Sequence, residues 1–372
     1  STMAFADWGN DTGLSSEPTS TAFSLGSGLN DINASGRTYV AYLFAHNNND
    51  GEFGPSGDQD IIKCGSFSTD SSGDASVTLG FEPQWLMIKR YDGTSNWTLM
   101  DIMRGYNDSF WNPLYADTSN AESGFAATRG FPTSTGFEFD GQLSASANYI
   151  YMAIRRGPLA APEDATKVFS IDTLGTSAPY FDSNHIVDMG LVKQTGAAGS
   201  WFVYTRLVGE KNFYTDFTAA ENNASEAGFD FMNGHIDSNW GGTNSYSWMW
   251  KRAPSYFDVV AYTGDGTSSN HNRTAAIPHN LGVQPEMAWI KRRDSTSEWV
   301  VAHKDVGAGY LNLTNSFSSY PVGGINHNDA FTATNFKING WQQEANFNYS
   351  GATYIAYLFA TVAGVSKVGS YT

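Results

Sequence analysis

One pattern occurs three times along this chain and limits its possible folds more than any other feature. A short strand-like run ends in Lys, and a Trp follows eight residues later. It appears as Gln84-Trp85-Leu86-Met87-Ile88-Lys89 with Trp97, as Met189-Gly190-Leu191-Val192-Lys193 with Trp201, and as Glu286-Met287-Ala288-Trp289-Ile290-Lys291 with Trp299. Lys and Trp move together, by 104 residues from the first copy to the second and by 98 to the third. A fixed spacing kept in three copies marks an internal repeat. The residues between Lys and Trp, such as Tyr91-Asp92-Gly93-Thr94, are turn formers. Each copy therefore predicts a β-hairpin whose second strand opens at the Trp. Trp97, Trp201 and Trp299 are then expected to be buried structural anchors.

Further landmarks keep the same order. Tyr115-Ala116-Asp117 and Tyr214-Thr215-Asp216 match Tyr310-Leu311-Asn312, and Phe137-Glu138-Phe139, Phe229-Asp230-Phe231 and Phe336-Lys337-Ile338 follow. Each unit closes on an aromatic strand: Tyr149 to Met152, Tyr246 to Met249, Tyr354 to Tyr357. A fourth closing strand, Tyr39-Val40-Ala41-Tyr42-Leu43-Phe44-Ala45, has no Lys…Trp hairpin before it. Lys367-Val368-Gly369-Ser370-Tyr371 echoes the opening strand Lys63-Cys64-Gly65-Ser66-Phe67. The organisation expected is 1–60, the C-terminal part of a preceding repeat plus a polar linker; 61–160, a first whole repeat; 161–256, a second, divergent repeat; 257–365, a third; and 366–372, the start of another. On this reading the chain is an excerpt of a longer array. Ala253-Pro254 is the shortest junction, which implies that the second and third units stack closely.

Composition sets the fold class. The chain is rich in β-formers and turn formers, with 15% aromatic residues, 38 Gly and only 16% charged residues. Short β-forming runs with turn signals every 8–12 residues predict an all-β fold. We expect a tandem array of about three β-sandwich, jelly-roll-like domains of ~100 residues each, with partial repeats at both ends. Thr218 to Gly228 alone carries enough Ala and Glu for a short helix. A single cysteine excludes an intrachain disulfide framework and a Cys-cluster zinc site. The formal charge of −16 and the lack of a basic stripe argue against nucleic acid as a partner. The longest apolar run, Tyr354 to Val365, is too short for membrane insertion by a helix.

These stretches resemble a family of repeat-containing structural proteins of marine bacteriophage virions, including tail-fibre-like proteins. The resemblance is carried by Asp58 to Ser66, Gly80-Phe81-Glu82-Pro83-Gln84-Trp85, Ile150 to Pro158, Trp248-Met249-Trp250-Lys251-Arg252-Ala253-Pro254 and Tyr354 to Tyr371, which together span nearly the whole chain. It implies a non-enzymatic virion structural protein, part of a fibre or similar appendage, extracellular on the phage particle and supporting host attachment. It brings no catalytic residue. The partners implied are other copies of the chain in a homo-oligomer such as a trimer, other virion proteins, and a host-surface glycan. The second unit departs most, lacking the Gly-x-x-Pro lead-in of Gly80 to Pro83 and Gly282 to Pro285.

A search for chemistry finds little. The His residues are scattered, with no helical zinc spacing, and neither a nucleophile elbow nor a phosphate loop occurs. Glu138 and Asp140 share a strand face, and a solvated face accounts for them as well as a glycosidase pair does. No cofactor is required. Ca²⁺ is the ion that the polar run Asn47 to Glu52 with Asp58-Gln59-Asp60 would suit, through Asp50, Asp58 and Asp60, because carboxylate and amide oxygens around a Gly turn are hard ligands. A second functional class stays open: a lectin-like carbohydrate-binding or carbohydrate-degrading module, with Trp111, Trp240 and Tyr320 as loop aromatics for a glycan receptor. A third is a bacterial surface or filament protein built on the same repeat.

Overall fold

The computed structural model describes residues 18–26, 32–45, 60–104, 110–122, 125–126, 132–238, 240, 244–266, 275–316, 326–338 and 346–371. Three units of one topology follow each other. In unit 1 the larger sheet runs, in spatial order, Ile62–Ser68, Asn148–Arg155, Pro83–Arg90, Thr98–Asp101 and Leu114–Tyr115. In unit 2 the order is Phe169–Thr173, Ser245–Trp250, Met189–Gln194, Trp201–Thr205, Lys211–Tyr214 and Asn222–Asn223. In unit 3 it is Phe257–Thr263, Thr353–Phe359, Met287–Arg292, Val300–His303 and Leu311–Asn312. Opening strand, closing strand and hairpin thus lie side by side in the same antiparallel order each time.

A two-stranded ribbon faces each sheet: Ala75–Thr78 with Gly136–Phe139, Phe181–Asp182 with Gly234–His235, and Ile277–Pro278 with Asn335–Phe336. The cores lie between the layers because alternate residues point to opposite faces. Leu86 and Ile88 of the first hairpin strand are buried against Phe137 and Phe139, while Met87 points outward. Phe67 stacks on Tyr149 at 5.2 Å in unit 1, and Tyr262 stacks on Tyr354 at 5.1 Å in unit 3. Those pairs are also register partners in their sheets, so the two units align residue by residue. The fold is a tandem array of β-sandwiches.

Gly80 and Gly282 share positive φ angles, +84° and +74°. A left-handed turn needs glycine, which is why the Gly-x-x-Pro lead-in recurs in units 1 and 3.

Ladder registers correct two of the expected matches. Asn312 pairs with Val300 as Tyr115 pairs with Thr98 and Tyr214 with Phe202, so Asn312, not Tyr310, occupies the Tyr position in unit 3. The unit 2 counterpart of Phe137 and Phe336 is His235, paired with Phe181, and not Phe229. Thr218 to Gly228 is not helical. Its backbone bonds instead to unit 3, Glu221 N–H to Arg293 C=O at 2.9 Å and Thr218 C=O from Ser297 N–H at 2.8 Å. Those inter-unit bonds outweigh local propensity.

His235 is the core feature peculiar to unit 2. It is fully buried, stacked on Phe181 and Phe229, with Nε2 2.8 Å from Ser247 Oγ. Gly190 makes room for it: a Cβ there would lie 2.3 Å from the ring. Burial pushes the imidazole down to about 3. The unfolded chain then takes up the proton first as pH falls, so this contribution is complete above pH 6.5 and is lost from there towards 3. The slope is at most about 1.4 kcal/mol per pH unit. Urea midpoints of the wild type should fall between pH 7 and 4.5 more steeply than those of His235→Gln.

Candidate functional site

Each hairpin is closed by its lysine. The ammonium donates to the carbonyl six residues on: Lys89 to Ser95, Lys193 to Gly199, and Lys291 to Ser297 at 2.9 Å. The Trp that follows is held through its backbone. Its carbonyl accepts from Ala116, Thr215 and Leu313 N–H in the three units at 3.0, 3.2 and 3.2 Å. In units 1 and 2 its N–H donates to Asp117 and Asp216. The eight-residue spacing is therefore the length of this lysine-locked loop. Lys291 is fully buried, and burial pulls it down to about 8. Its three carbonyl acceptors, on Thr218, Arg292 and Ser297, suit the ammonium form.

The three Trp side chains meet different fates. Trp299 is fully buried, whereas Trp97 and Trp201 are only half-buried, which corrects the expectation of three equal anchors. All three sit on the outer face of the larger sheet, away from their own sandwich core. Trp299 is covered because units 2 and 3 pack outer face to outer face. Its ring meets Phe213 edge-on at 5.9 Å, and its Nε1 donates to Tyr214 C=O at 2.7 Å. Tyr357 OH lies 2.7 Å from Thr205 Oγ1 across the same contact. Val203, Val208 and Phe213 of unit 2 form one continuous core with Val259, Ile355 and Tyr357 of unit 3. The Ala253-Pro254 junction is short because this interface leaves no gap to span.

A buried charge cluster ties all three units together. Glu82 of unit 1 pairs with Arg252 of unit 2. Arg156 lies 3.5 Å from Glu82 and 3.7 Å from Asp258 of unit 3. Arg252 lies 3.7 Å from Asp258 and 3.9 Å from Asp188, and Arg206 3.9 Å from Asp188. Every one of these side chains is 10% exposed or less. Arg252 also donates to Val259 C=O at 2.7 Å, and its own N–H donates to Asp188 at 2.6 Å. Burial works against the Arg252 charge, but Glu82, Asp258 and Asp188 outweigh it and hold the guanidinium above its usual value. Burial pushes Glu82 up, against the pull of Arg252 and Arg156. Burial lowers Arg206 to about 10, opposed chiefly by Asp188. The cavity at the cluster is about 10 Å³. That holds at most one water and no larger ligand. The cluster joins the units.

Sequence reasoning passed over these residues as a site. Yet Glu82, Arg156 and Arg252 all lie in recurring stretches, before Pro83, Pro158 and Pro254. The signal available was a charged residue shortly before a proline, at the lead-in of unit 1 and at the exits of units 1 and 2.

Two of the three aromatics expected on glycan-binding loops are described, and both pack into sandwiches. Trp111 is 8% exposed, in a two-residue strand, with its ring against Phe139. Trp240 is half-buried and packs edge-on to Phe202, its Nε1 donating to Tyr204 OH at 2.7 Å. Both serve sandwich cores, because a large ring beside an apolar gap gains more from burial than from water. Tyr320 lies outside the described residues. So do Asp50 and Asp58. Asp60 stands at the start of the first strand, with Oδ2 3.9 Å from Lys63 Nζ. Among the described residues no three His, Cys, Asp or Glu side chains converge as a metal site would require. None of the described helices is long and apolar enough to cross a membrane.

An exposed aromatic strip does exist elsewhere. On the outer face of unit 2, beyond the part covered by unit 3, lie Trp201, Tyr246 and Trp248. Trp201 and Trp248 are 5.4 Å apart, and Lys193 Nζ is 5.6 Å from the Trp201 ring centre. Tyr246 is 38% exposed, and Ile171 beside Trp248 is 55% exposed.

Comparison with known families places the chain. The model of a domain of unknown function, DUF7483, matches residues 5–158 and 188–372. The match covers most of the chain, which belongs to this family. Its second segment takes in the hairpin and closing strand of unit 2 and all of unit 3, including their shared face. Its first takes in unit 1 and the residues before it. No curated protein matches the chain.

Proposed function

We propose that this chain is a non-enzymatic structural protein of a phage virion, a segment of a fibre or similar appendage built from repeated β-sandwiches. The observation that carries this reading is the junction. Three units share one topology, and their contacts consist of a continuous apolar interface and a buried cluster of three arginines and three carboxylates. Such contacts suit a load-bearing element of fixed shape, because one lost ion partner strands the others without solvent. The resemblance of the repeat stretches to marine phage structural proteins supports the virion location. Antibodies against the purified chain should label an appendage of the phage particle by immunogold electron microscopy. Particles that carry no label, while infected-cell lysates contain the free protein, would overturn the assignment.

A second reading is favoured by the strip of Trp201, Tyr246 and Trp248, since flat aromatic rings beside a lysine suit stacking on sugar faces. Under it the appendage also contacts a host glycan. Trp248→Ala should then lower binding on a glycan array at least tenfold without changing the melting temperature. Equal binding by both proteins would remove the strip from consideration.

A further inference from the structure

The two joints between units are built from different contacts. Units 2 and 3 share one apolar core, in which Val203, Val208 and Phe213 meet Val259, Ile355 and Tyr357. Backbone bonds stitch them as well, Glu221 N–H to Arg293 C=O and Ser297 N–H to Thr218 C=O. Arg293 also donates to the Glu221 carboxylate at 2.7 Å. The junction between them is itself folded, since Ala253 bridges to Phe257.

Unit 1 shares none of this. Among the described residues its apolar core, around Leu86, Ile88, Phe137 and Phe139, takes in no residue of units 2 or 3. No backbone hydrogen bond among them crosses from unit 1 to either neighbour. Side-chain contacts cross instead. Glu82 pairs with Arg252, and Arg156 lies 3.7 Å from Asp258. Arg206 Nη1 donates to Met103 Sδ at 3.4 Å, and Asn280 Nδ2 to Ser134 C=O at 3.1 Å. The ion pairing is loose: Arg156 Nε, Arg252 Nε, Arg206 Nη2 and Asp258 Oδ1 are buried with no hydrogen-bond partner among the described residues. A buried network left partly unsatisfied holds less firmly than a complete one.

Beside the cluster the joint widens into a cleft of about 350 Å³, walled by Arg104 and Glu122 of unit 1 and by Glu210, Asp230 and Asp237 of unit 2. Burial pushes the Asp230 carboxyl up, and Glu122 on the opposite wall pushes the same way, against the pull of Arg206. Like charges thus work against closure at the rim. The connection is slack too. Residues 157–163 run from unit 1 to the helical turn Ala165–Lys167, and among the described residues their backbone bonds to neither unit. Seven residues extended reach about 23–25 Å.

We propose that unit 1 is latched to the rest of the chain and not fused to it: it swings away from the rigid body of units 2 and 3 as an intact sandwich, with the Glu82–Arg252 pair as the latch and residues 157–163 as the hinge. Opening the joint of units 2 and 3 would expose a continuous apolar face to water. Opening that of unit 1 exposes mainly charged groups, whose hydration offsets the lost ion pairs, and it moves the cleft carboxylates apart. The closed and open forms differ by few contacts of one kind, so a change of one charge shifts the balance between them. The latched form is the fixed shape described above.

The test is single-molecule energy transfer in the whole chain with Cys64→Ser. Ala145→Cys with Ala333→Cys reports on units 1 and 3, and Ala197→Cys with Ala333→Cys on units 2 and 3; all three positions are exposed. The first pair should exchange between a major state and a rarer second state, and the second pair should hold one value. Glu82→Gln, which keeps the shape and removes the charge, should raise the rarer state at least tenfold. Asp230→Asn, which removes a like charge from the cleft, should lower it. One steady value from the first pair in both the wild type and Glu82→Gln would overturn the proposal. So would exchange that Glu82→Gln leaves unmoved, because the pair would then be no latch. Exchange in both pairs would overturn it as well, because units 2 and 3 would not be one body. Should Glu82→Gln fail to fold, the wild type and Asp230→Asn decide: a steady first pair, or a rarer state that Asp230→Asn does not lower, would overturn the proposal. Immunogold labelling of particles tests the virion reading separately.

Discussion

Replacing Arg252 by methionine is expected to lower the unfolding free energy by about 3–5 kcal/mol, the scale for removing one partner from a buried ion cluster. The side chain is 3% exposed and lies against Glu82, Asp188 and Asp258, one carboxylate from each unit. Without it the three carboxylates share Arg156 and Arg206 alone, in a space that admits almost no water. Because the Glu82–Arg252 pair is the cluster's closest contact between units 1 and 2, the loss should also loosen unit 1, leaving only Arg156–Asp258 of the cluster to hold it and splitting one urea transition into two. The double variant Arg252→Met with Glu82→Leu should recover part of the loss, since it removes an unpaired charge. Arg292→Met provides the contrast. Its partner Asp294 is 40% exposed, and an ion pair so wetted should cost less than about 1 kcal/mol. Equal losses for Arg252→Met and Arg292→Met would show that the cluster does not hold the units together.

The second large effect separates three tryptophans that share one sequence position. Trp299→Ala should cost about 3–5 kcal/mol, because the ring fills the contact between units 2 and 3 and leaves a cavity when removed. It also deprives Tyr214 C=O of its Nε1 donor. Trp97→Ala and Trp201→Ala should each cost near 1 kcal/mol, the ordinary scale of a point substitution, because their rings keep a solvent-facing side. Denaturant midpoints of the three variants check this directly. Similar losses at all three positions would mean that the outer faces of units 1 and 2 are covered in solution.

Much of the architecture was legible in the sequence because it depends on local rules applied three times. The Lys…Trp spacing set the hairpin, since a lysine side chain reaches the carbonyl six residues on only across a loop of that length. Landmarks without such a rule were less secure. Phe229 matches Phe137 and Phe336 in residue type alone, whereas the ladder puts His235 at that place, and only the room left by Gly190 makes an imidazole fit there. Thr218 to Gly228 carries helix-forming residues, and its backbone found partners in unit 3 instead.

What the sequence determined by itself is the repeated unit: its landmarks, its hairpin and its sandwich class, all of which follow from periodicity and turn chemistry within about a hundred residues. What only the tertiary structure decided is how the units meet. The same Trp is buried in one unit and half-exposed in two, because its environment is set by a neighbouring unit and not by its own flanking residues. Glu82, Arg156, Arg206, Arg252, Asp188 and Asp258 are unremarkable charges along the chain. They become one buried cluster because packing brings positions up to 170 residues apart within 4 Å, and no local pattern encodes that distance.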